Sequence, residues 1–195
     1  MAEVVEINII SSTVLDNDIL FSFIHEQVEI QGNMTIEVMD NWAYEGVHRI
    51  DSKEDIQSLL DSKIVCITRK AVDGYVGLNI EKVDKRFCYT IWFNNNKYEN
   101  INNYYQLIKA FISFAGVRIG KQLIVCAIGK EVIFEFDEDI NKLLNSAHNI
   151  DIWIFLNGMF DENNLDFKMS DYKIDKTKDY LIIKTQSLQY KLRRS

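Results

Sequence analysis

The feature that most constrains the fold is a nine-residue stretch that occurs twice in slightly different form. The sequence EDIQSLLDS spans residues 54–62 and EDINKLLNS spans residues 138–146, with six of the nine positions identical. Both copies have the apolar spacing of one face of a short helix. Six identities can arise by chance, so the significance of the repeat depends on the elements that surround each copy.

The chain around the first copy predicts the element order βαββαβ. Apolar residues recur with the period of a strand or of a helix, and Gly, Asp and Asn separate the segments. The predicted elements are a strand at 4–11, a helix at 16–31 ended by Gly32, a hairpin of strands at 34–39 and 42–50 with its turn at Asp40-Asn41, a helix at 53–61 begun by a capping box of Ser52 and Asp55, and a strand at 64–68.

The chain around the second copy predicts the same order. The elements are a strand at 87–94, an amphipathic helix at 101–115 ended by Gly116, strands at 123–128 and 131–136 that flank a Gly129-Lys130 turn, a helix at 138–145 capped by Asp137, and a strand at 150–155. Because the similar helices occupy the same place in two units of the same order, duplication is the better interpretation.

We therefore predict an α+β protein of two tandem ferredoxin-like βαββαβ units, an internal duplication, with extra β-strands between them and at the C-terminus. Residues 1–70 form the acidic first unit, 71–156 an inserted strand plus the second unit, and 157–195 a polar segment and a final strand near 180–184 that packs on the second unit. The three segments could equally form one compact domain.

The pattern within the strands also predicts how the sheet is covered. In the second half, residues 124–128 and 150–155 are apolar on both sides, which indicates a sheet covered on two faces. In the first half, polar residues interrupt the alternation, so one face there is expected to contact water. These residues are Glu6, Asn8, Thr35, Glu37 and Glu45.

The sequence gives no positive indication of an enzyme. It lacks the phosphate-binding, zinc-protease and nucleophile-elbow motifs, and no cofactor or metal is predicted. The three histidines and the three cysteines lie far apart, the cysteines within apolar strands, which favours structural roles. The acidic pair at 54–55 and the three acidic residues at 137–139 lie at helix N-termini, where capping explains them. The acidic run at 161–166 lacks the spacing of a calcium loop.

Charge is distributed unevenly along the chain. Residues 1–62 contain thirteen Asp and Glu against two Lys and Arg, within a total net charge of −7. This charge repels phosphate, so nucleic acid is excluded as a partner, although an open sheet with strand aromatics such as Trp42, Tyr44 and Trp92 could otherwise stack on bases. No apolar run approaches the roughly 18 residues of a membrane span, and no signal peptide is recognisable, so a cytoplasmic location is expected.

These observations leave two hypotheses for function. The first is a non-enzymatic interaction module, similar in principle to an immunity protein or inhibitor, whose acidic first unit binds and neutralises or regulates a basic protein. The candidate partner-binding residues are Glu6, Glu37, Glu45, Asp51 and Asp55. The second is a regulatory protein that senses a small ligand between the two units, although the strand-to-helix loops at 11–13 and 94–96 lack the glycine typical of such sites.

Overall fold

The computed structural model of the chain describes residues 3–51, 56–134, 136–137, 139–159, 172–185 and 188. The strands are β1 (Val5–Ser11), β2 (Ile30–Met39), β3 (His48–Ile50), β4 (Ile64–Ala71), β5 (Gly74–Val83), β6 (Arg86–Asn95), β7 (Leu123–Ile133), β8 (His148–Leu156), β9 (Tyr172–Lys176) and β10 (Tyr180–Thr185). The α-helices are α1 (Asn17–Gln27), α2 (Ile56–Leu59), α3 (Ile101–Phe114) and α4 (Ile140–Ser146).

All ten of these strands join one sheet in the order β3-β2-β4-β5-β6-β1-β7-β8-β10-β9, and every neighbouring pair is antiparallel. The predicted α+β class is therefore confirmed, as a sheet-dominated variant with few helices. Strand β10 confirms the predicted strand near residue 180, while β9 lies in a segment that the sequence predicted to be turn-rich.

The structure does not confirm two ferredoxin-like units. Residues 5–71 do follow the predicted order βαββαβ, but β1 is not paired with the strands of its own half. It lies between β6 and β7, where Ile7 is opposite Ile91 on one side and Ile128 on the other. The two halves of the chain therefore share one continuous sheet, and the inserted β5 joins them.

Three glycines have roles that differ from those predicted. Helix α1 ends at Gln27 rather than before Gly32, because Ile30 already pairs with Ala71 and Gly32, at φ 97°, lies inside a bulged part of β2. Gly129 is not in a hairpin turn but inside the single long strand β7. A Cβ at Gly129 would meet the backbone oxygen of Asn149 at 1.9 Å, so glycine allows a close approach of two strands there.

The third, Gly116, does not end the helical segment. Helix α3 continues through a π-helical turn at Ala115–Ile119 and a short 3-10 turn at Gly120–Gln122. The hydroxyl of Tyr180 lies within hydrogen-bond distance of the backbone oxygens of Ala115 and Gly120, at 3.0 and 2.8 Å, and so ties β10 to the irregular turn.

Helix N-termini follow the capping chemistry of the sequence. Asp16 and Asn100 accept hydrogen bonds from the first backbone N–H groups of α1 and α3. Helix α4 is capped by Asp139 rather than by Asp137, whose carboxylate instead accepts from the Asp139 N–H at 2.7 Å. The predicted capping box at residues 52–55 and the acidic run at 161–166 lie outside the described residues.

Two hydrophobic cores lie on opposite faces of the sheet. The larger core packs α1, α2 and α3 against one face along most of its width. The smaller core packs α4 against the other face, but only over β7, β8 and β10, with Trp153 and Leu143 among its members. Within the described part of the chain, no helix packs on that second face over β2, β4, β5 and β6, which we call the open face. The sequence pattern predicted the same arrangement: a face in contact with water in the first half of the chain and a sheet covered on both faces in the second half.

Candidate functional site

The predicted partner-binding residues are spread over the sheet rather than gathered at one point. Glu37 lies on β2, Glu45 in the following loop and Asp51 directly after β3, so these three share one edge. Glu6 lies on β1, four strands away, which corresponds to about 19 Å at the usual strand spacing. Asp55 lies outside the described residues.

Glu6 makes a structural contact. Its carboxylate accepts a 2.7 Å hydrogen bond from the backbone N–H of Val132, next to the bulged end of β7. Burial raises the pKa of Glu6, and the Val132 hydrogen bond opposes that rise in part. The side chain therefore helps to hold β7 in place, and it offers less free charge to a partner than the sequence pattern suggested.

Part of the acidic excess of residues 1–62 is compensated in three dimensions by basic residues from outside that range. Asp40 pairs with Lys63, Asp61 with Lys82, and Glu3 with Lys130 at 2.5 Å. Glu37 pairs with Arg49 on the neighbouring strand, at 3.2 Å. The charge asymmetry seen along the sequence is thus weaker on the folded surface, because Lys63, Lys82 and Lys130 lie beside acidic residues of the first part of the chain. The pair of Glu37 and Arg49 lies within residues 1–62 and does not change the balance.

The segment between β2 and β3, residues 40–47, is a compact loop and not the predicted strand. Asn41 organises it: its side-chain oxygen accepts from the Ala43 N–H at 2.9 Å, and its amide donates to Glu45 at 2.6 Å. Backbone hydrogen bonds from Asp40 to Glu45 and from Tyr44 to Asn41 complete the loop. We call this segment the 40–47 loop.

The 40–47 loop presents three large apolar side chains to solvent. Trp42 is 47% exposed, Tyr44 69% and Val47 43%. Tyr44 adopts a φ of 62°, a left-handed conformation that is uncommon for a residue with a side chain and costs free energy. Exposed aromatic residues in an ordered and strained loop are a typical feature of binding surfaces.

Trp42 also connects the loop to the open face. Its indole N–H donates a 2.9 Å hydrogen bond to Oε2 of Glu81 on β5, so the loop lies across the start of β4. Glu81 thereby fixes the orientation of Trp42. The sequence did not indicate this contact, since the two residues are 39 positions apart and neither belongs to a motif.

A row of polar residues crosses the open face beside this contact. Residues opposite one another in the sheet register share a face, and the row comprises Arg49, Glu37, Cys66, Asn79, Thr90 and Asn8. Trp92 lies flat over Gly77 in the adjacent row, where a Cβ on the glycine would meet the ring at 2.4 Å, and its N–H donates to Asn79 at 3.2 Å.

A cavity of about 400 Å³ opens on the same face. Its floor is formed by β1 and β6, one wall by the β5–β6 hairpin, and the other by the aromatic residues that precede α4. The lining includes Glu81, Asp84, Arg86, Cys88, Phe134 and Phe136. The Arg86 guanidinium lies 4.3 Å from the centre of the Phe136 ring. Because Glu81 lines this cavity and also binds Trp42, the cavity and the 40–47 loop adjoin.

The strand-to-helix loops, where a small-ligand site was considered, satisfy their own polar groups. Ser11 accepts from the Thr13 N–H at 3.3 Å and donates to the Thr13 oxygen at 2.7 Å. Asn95 accepts from the Lys97 N–H at 2.8 Å. A second cavity of about 500 Å³ lies at the opposite end of the sheet, between the end of α1 and the β4–β5 turn.

Burial raises the pKa of each of the three cysteines. Burial is the main cause that raises the pKa of Cys66 and of Cys88 to about 11, so both thiols stay protonated near neutral pH. The Tyr104 hydroxyl donates to the buried Asp151 at 2.8 Å and ties α3 to β8. Within the same described ranges, no group of three or more His, Cys, Asp or Glu residues could hold a metal ion.

Comparison of the chain with protein families, with curated proteins and with solved structures gave no match. Among the described helices, none has the length and apolar character needed to cross a membrane. The candidate site thus rests on its own geometry: the 40–47 loop with Trp42 and Tyr44, the acidic residues at the same edge, and the adjoining cavity at Glu81.

Proposed function

We propose that this protein is a non-enzymatic interaction module that binds and neutralises or regulates a basic protein partner. The observation that supports this function best is the 40–47 loop. Its internal hydrogen bonds hold Trp42 and Tyr44 at the surface. Large aromatic side chains that are already ordered before binding provide apolar contact area at a low cost in conformational entropy.

The conformation of Tyr44 adds to this argument. An aromatic residue at positive φ is destabilising unless the surrounding structure determines it, here through Asn41 and the backbone bond to it. Folding alone would be served as well by glycine or asparagine at this position. The exposed phenol is therefore best explained by a contact outside the chain.

The charge near the loop favours a basic partner. Glu45 lies within the loop and Asp51 lies directly after β3, where its side chain is exposed. Glu37 is shared with Arg49 in a surface ion pair, which contributes about 0–1 kcal/mol and can be exchanged for a partner's cation. Exposed carboxylates around an aromatic centre speed association with a basic surface and set its orientation. Asp55 belongs to this proposal by its place in the sequence alone.

The proposal is tested by affinity capture from a lysate of the source organism, with tagged chain and washes at low and at high salt. Wild-type protein should retain a basic protein in stoichiometric amount at low salt and release it at high salt, because screening weakens exposed charge pairs. Tyr44→Ala should abolish retention. Tyr75→Ala is the matched control, since Tyr75 is 50% exposed on β5 near the opposite end of the sheet.

Retention of the same protein by wild type and by Tyr44→Ala would exclude the loop as the binding site. Failure of the wild-type chain to retain any basic protein would reject the proposed function itself. A second comparison tests the charges: a Glu45→Gln, Asp51→Asn double variant should bind more slowly and with less salt dependence. A Glu26→Gln, Glu29→Gln double variant, altered beside the second cavity, should behave as wild type.

A further inference from the structure

We propose that the cavity at Glu81 receives an arginine side chain from the basic partner that the 40–47 loop binds. This inference rests on the proposed function, and it adds the chemistry that the partner must present. It depends on three properties of the cavity: its position, the composition of its walls and the distribution of charge in its lining.

The position follows from a single shared residue. Glu81 accepts the hydrogen bond of Trp42 through Oε2 and lines the cavity. A protein surface that covers Trp42 and Tyr44 therefore also covers the mouth of the cavity. A volume of about 400 Å³ is at the small end of ligand sites, which commonly span roughly 300–1,000 Å³, so the cavity suits one side chain rather than a folded segment.

The walls suit a long side chain with an apolar stem. Ile10, Val83 and Cys88 give apolar surface near the floor and one wall, and Phe134 and Phe136 form the other wall. Arginine places its methylene groups against apolar surface while its planar guanidinium stacks on aromatic rings. Arg86 already lies over Phe136 at 4.3 Å, which demonstrates that this wall accepts a guanidinium face, and the cavity remains open with Arg86 in that place.

The charge of the described lining favours a cation. Two carboxylates, Glu81 and Asp84, are present with one guanidinium, Arg86. Neither carboxylate forms an ion pair with a described residue, and the Oε1 atom of Glu81 accepts no hydrogen bond from one. A guanidinium that donates to Oε1 would bind the second oxygen of a carboxylate that Trp42 already orients. Lysine has the same charge, but its ammonium group neither stacks on aromatic rings as a plane nor forms two parallel hydrogen bonds to a carboxylate.

The test uses N-acetyl-arginine amide as the probe, in a nuclear magnetic resonance titration of the uniformly nitrogen-15-labelled full chain. N-acetyl-citrulline amide is the matched control, because it has the shape of arginine and no charge. Arginine should shift the backbone amides of residues 81–90 and of Phe134 and Phe136, with saturation in the millimolar range expected for one isolated side chain. Citrulline should bind at least about tenfold more weakly.

Two variants with opposite expected effects make the result specific. Glu81→Gln should weaken the arginine probe about tenfold, and Arg86→Gln should strengthen it, because each changes the cavity charge in one direction. Glu26→Gln, an equal charge change at the opposite end of the sheet, should leave the titration unchanged. Citrulline binding equal to arginine, shifts that do not saturate, or equal binding by Glu81→Gln would each overturn the inference.

The two proposals can fail separately. If affinity capture identifies a partner lost with Tyr44→Ala but the arginine probe does not bind the cavity, the loop is the binding site and the cavity has no part in it. If the probe binds as expected and no partner is captured, the cavity recognises guanidinium groups and the proposed function is rejected.

Discussion

The indole N–H of Trp42 donates to the carboxylate of Glu81, at 2.9 Å, and thereby joins a loop at one edge of the sheet to a strand two positions further in. Trp42 remains 47% exposed in spite of this bond. The contact therefore orients the ring without burying it. An exposed ring in a fixed orientation would lose less conformational entropy on contact with another protein than a mobile one.

Glu81→Gln should loosen Trp42 with little loss of stability. The neutral amide still accepts a hydrogen bond, but the charge-assisted one is lost, so we expect the free energy of unfolding to fall by no more than about 1 kcal/mol. Tryptophan fluorescence should show greater quenching by acrylamide. The same measurement on Trp42→Phe isolates the signal of Trp92 and Trp153, and unchanged quenching in Glu81→Gln would show that the hydrogen bond does not hold the ring.

Tyr44→Gly should keep or raise stability while it removes binding. Glycine adopts φ 62° without steric cost, which relieves strain of about 1 kcal/mol or more and offsets the greater freedom of the unfolded chain. Tyr75→Gly makes the same substitution within a strand, where we expect a loss of about 0.5–1 kcal/mol or more. Urea denaturation measures both. A larger loss at Tyr44 than at Tyr75 would mean that the phenol supports the fold.

Gly77→Ala should destabilise the sheet by about 2–3 kcal/mol, because the new methyl group overlaps the Trp92 ring at 2.4 Å and the Ile67 oxygen at 2.5 Å. Adding Trp92→Ala should recover only part of this loss, since the backbone oxygen cannot move away. Gly116→Ala is the control: outside its own helical turn, the nearest atom to the new methyl group is on Tyr180 at 3.9 Å, so stability should not fall. Thermal unfolding of the wild type, the two single glycine variants and the double variant measures these differences in stability.

Cys66 and Cys88 should react slowly with iodoacetamide in the folded protein. With both pKa values at about 11 against an ordinary 9.0, the thiolate fraction at pH 8 falls about 100-fold, and the greater nucleophilicity of the thiolate recovers only part of that. We expect rates at least about tenfold below those of the chain in urea. Mass spectrometry of peptides after timed alkylation gives each rate.

The same two thiols make stability depend on alkaline pH. Their pKa is higher in the folded state, so the unfolded chain loses protons first as the pH rises above about 9. The contribution to stability is complete below pH 9 and is lost as the pH approaches 11. Urea denaturation of a Cys66→Ser, Cys88→Ser variant should therefore show a flatter pH profile than wild type over this window, and parallel profiles would contradict the assignment.

The sequence pattern predicted which strand faces are exposed better than it predicted which strands pair. The polar residues Glu6, Asn8 and Glu37 predicted that one face of several strands contacts water, and no described helix covers that face over β2, β4, β5 and β6. The pairing of β1 with β6 and β7 could not be predicted in this way. Strand alternation states which face of a strand is buried, but not which neighbour it has, and the partners are separated by long stretches of chain.

The 40–47 loop was not predicted, for a related reason. Residues 42–50 have enough aromatic and β-branched side chains to predict a strand, and only His48–Ile50 forms one. The competing interactions come from the Asn41 side chain, which satisfies backbone and side-chain groups within the loop. The Asp40-Asn41 turn signal was present in the sequence, but the length of the loop and the exposure of Tyr44 depend on contacts that a linear pattern does not record.

Because β1 lies in the middle of the sheet, its pairing during synthesis depends on strands that the ribosome makes later. Strand β1 is synthesised long before either neighbour: β7 completes its pairing only beyond residue 123, and β1 has no neighbouring strand at all until β6 has emerged. Until then its apolar residues Val5, Ile7 and Ile9 have no native strand to pair with. A nascent chain stopped before residue 123 would lack one side of its central strand, so we expect ribosome-bound fragments of that length to associate with chaperones, and longer ones to be released from them.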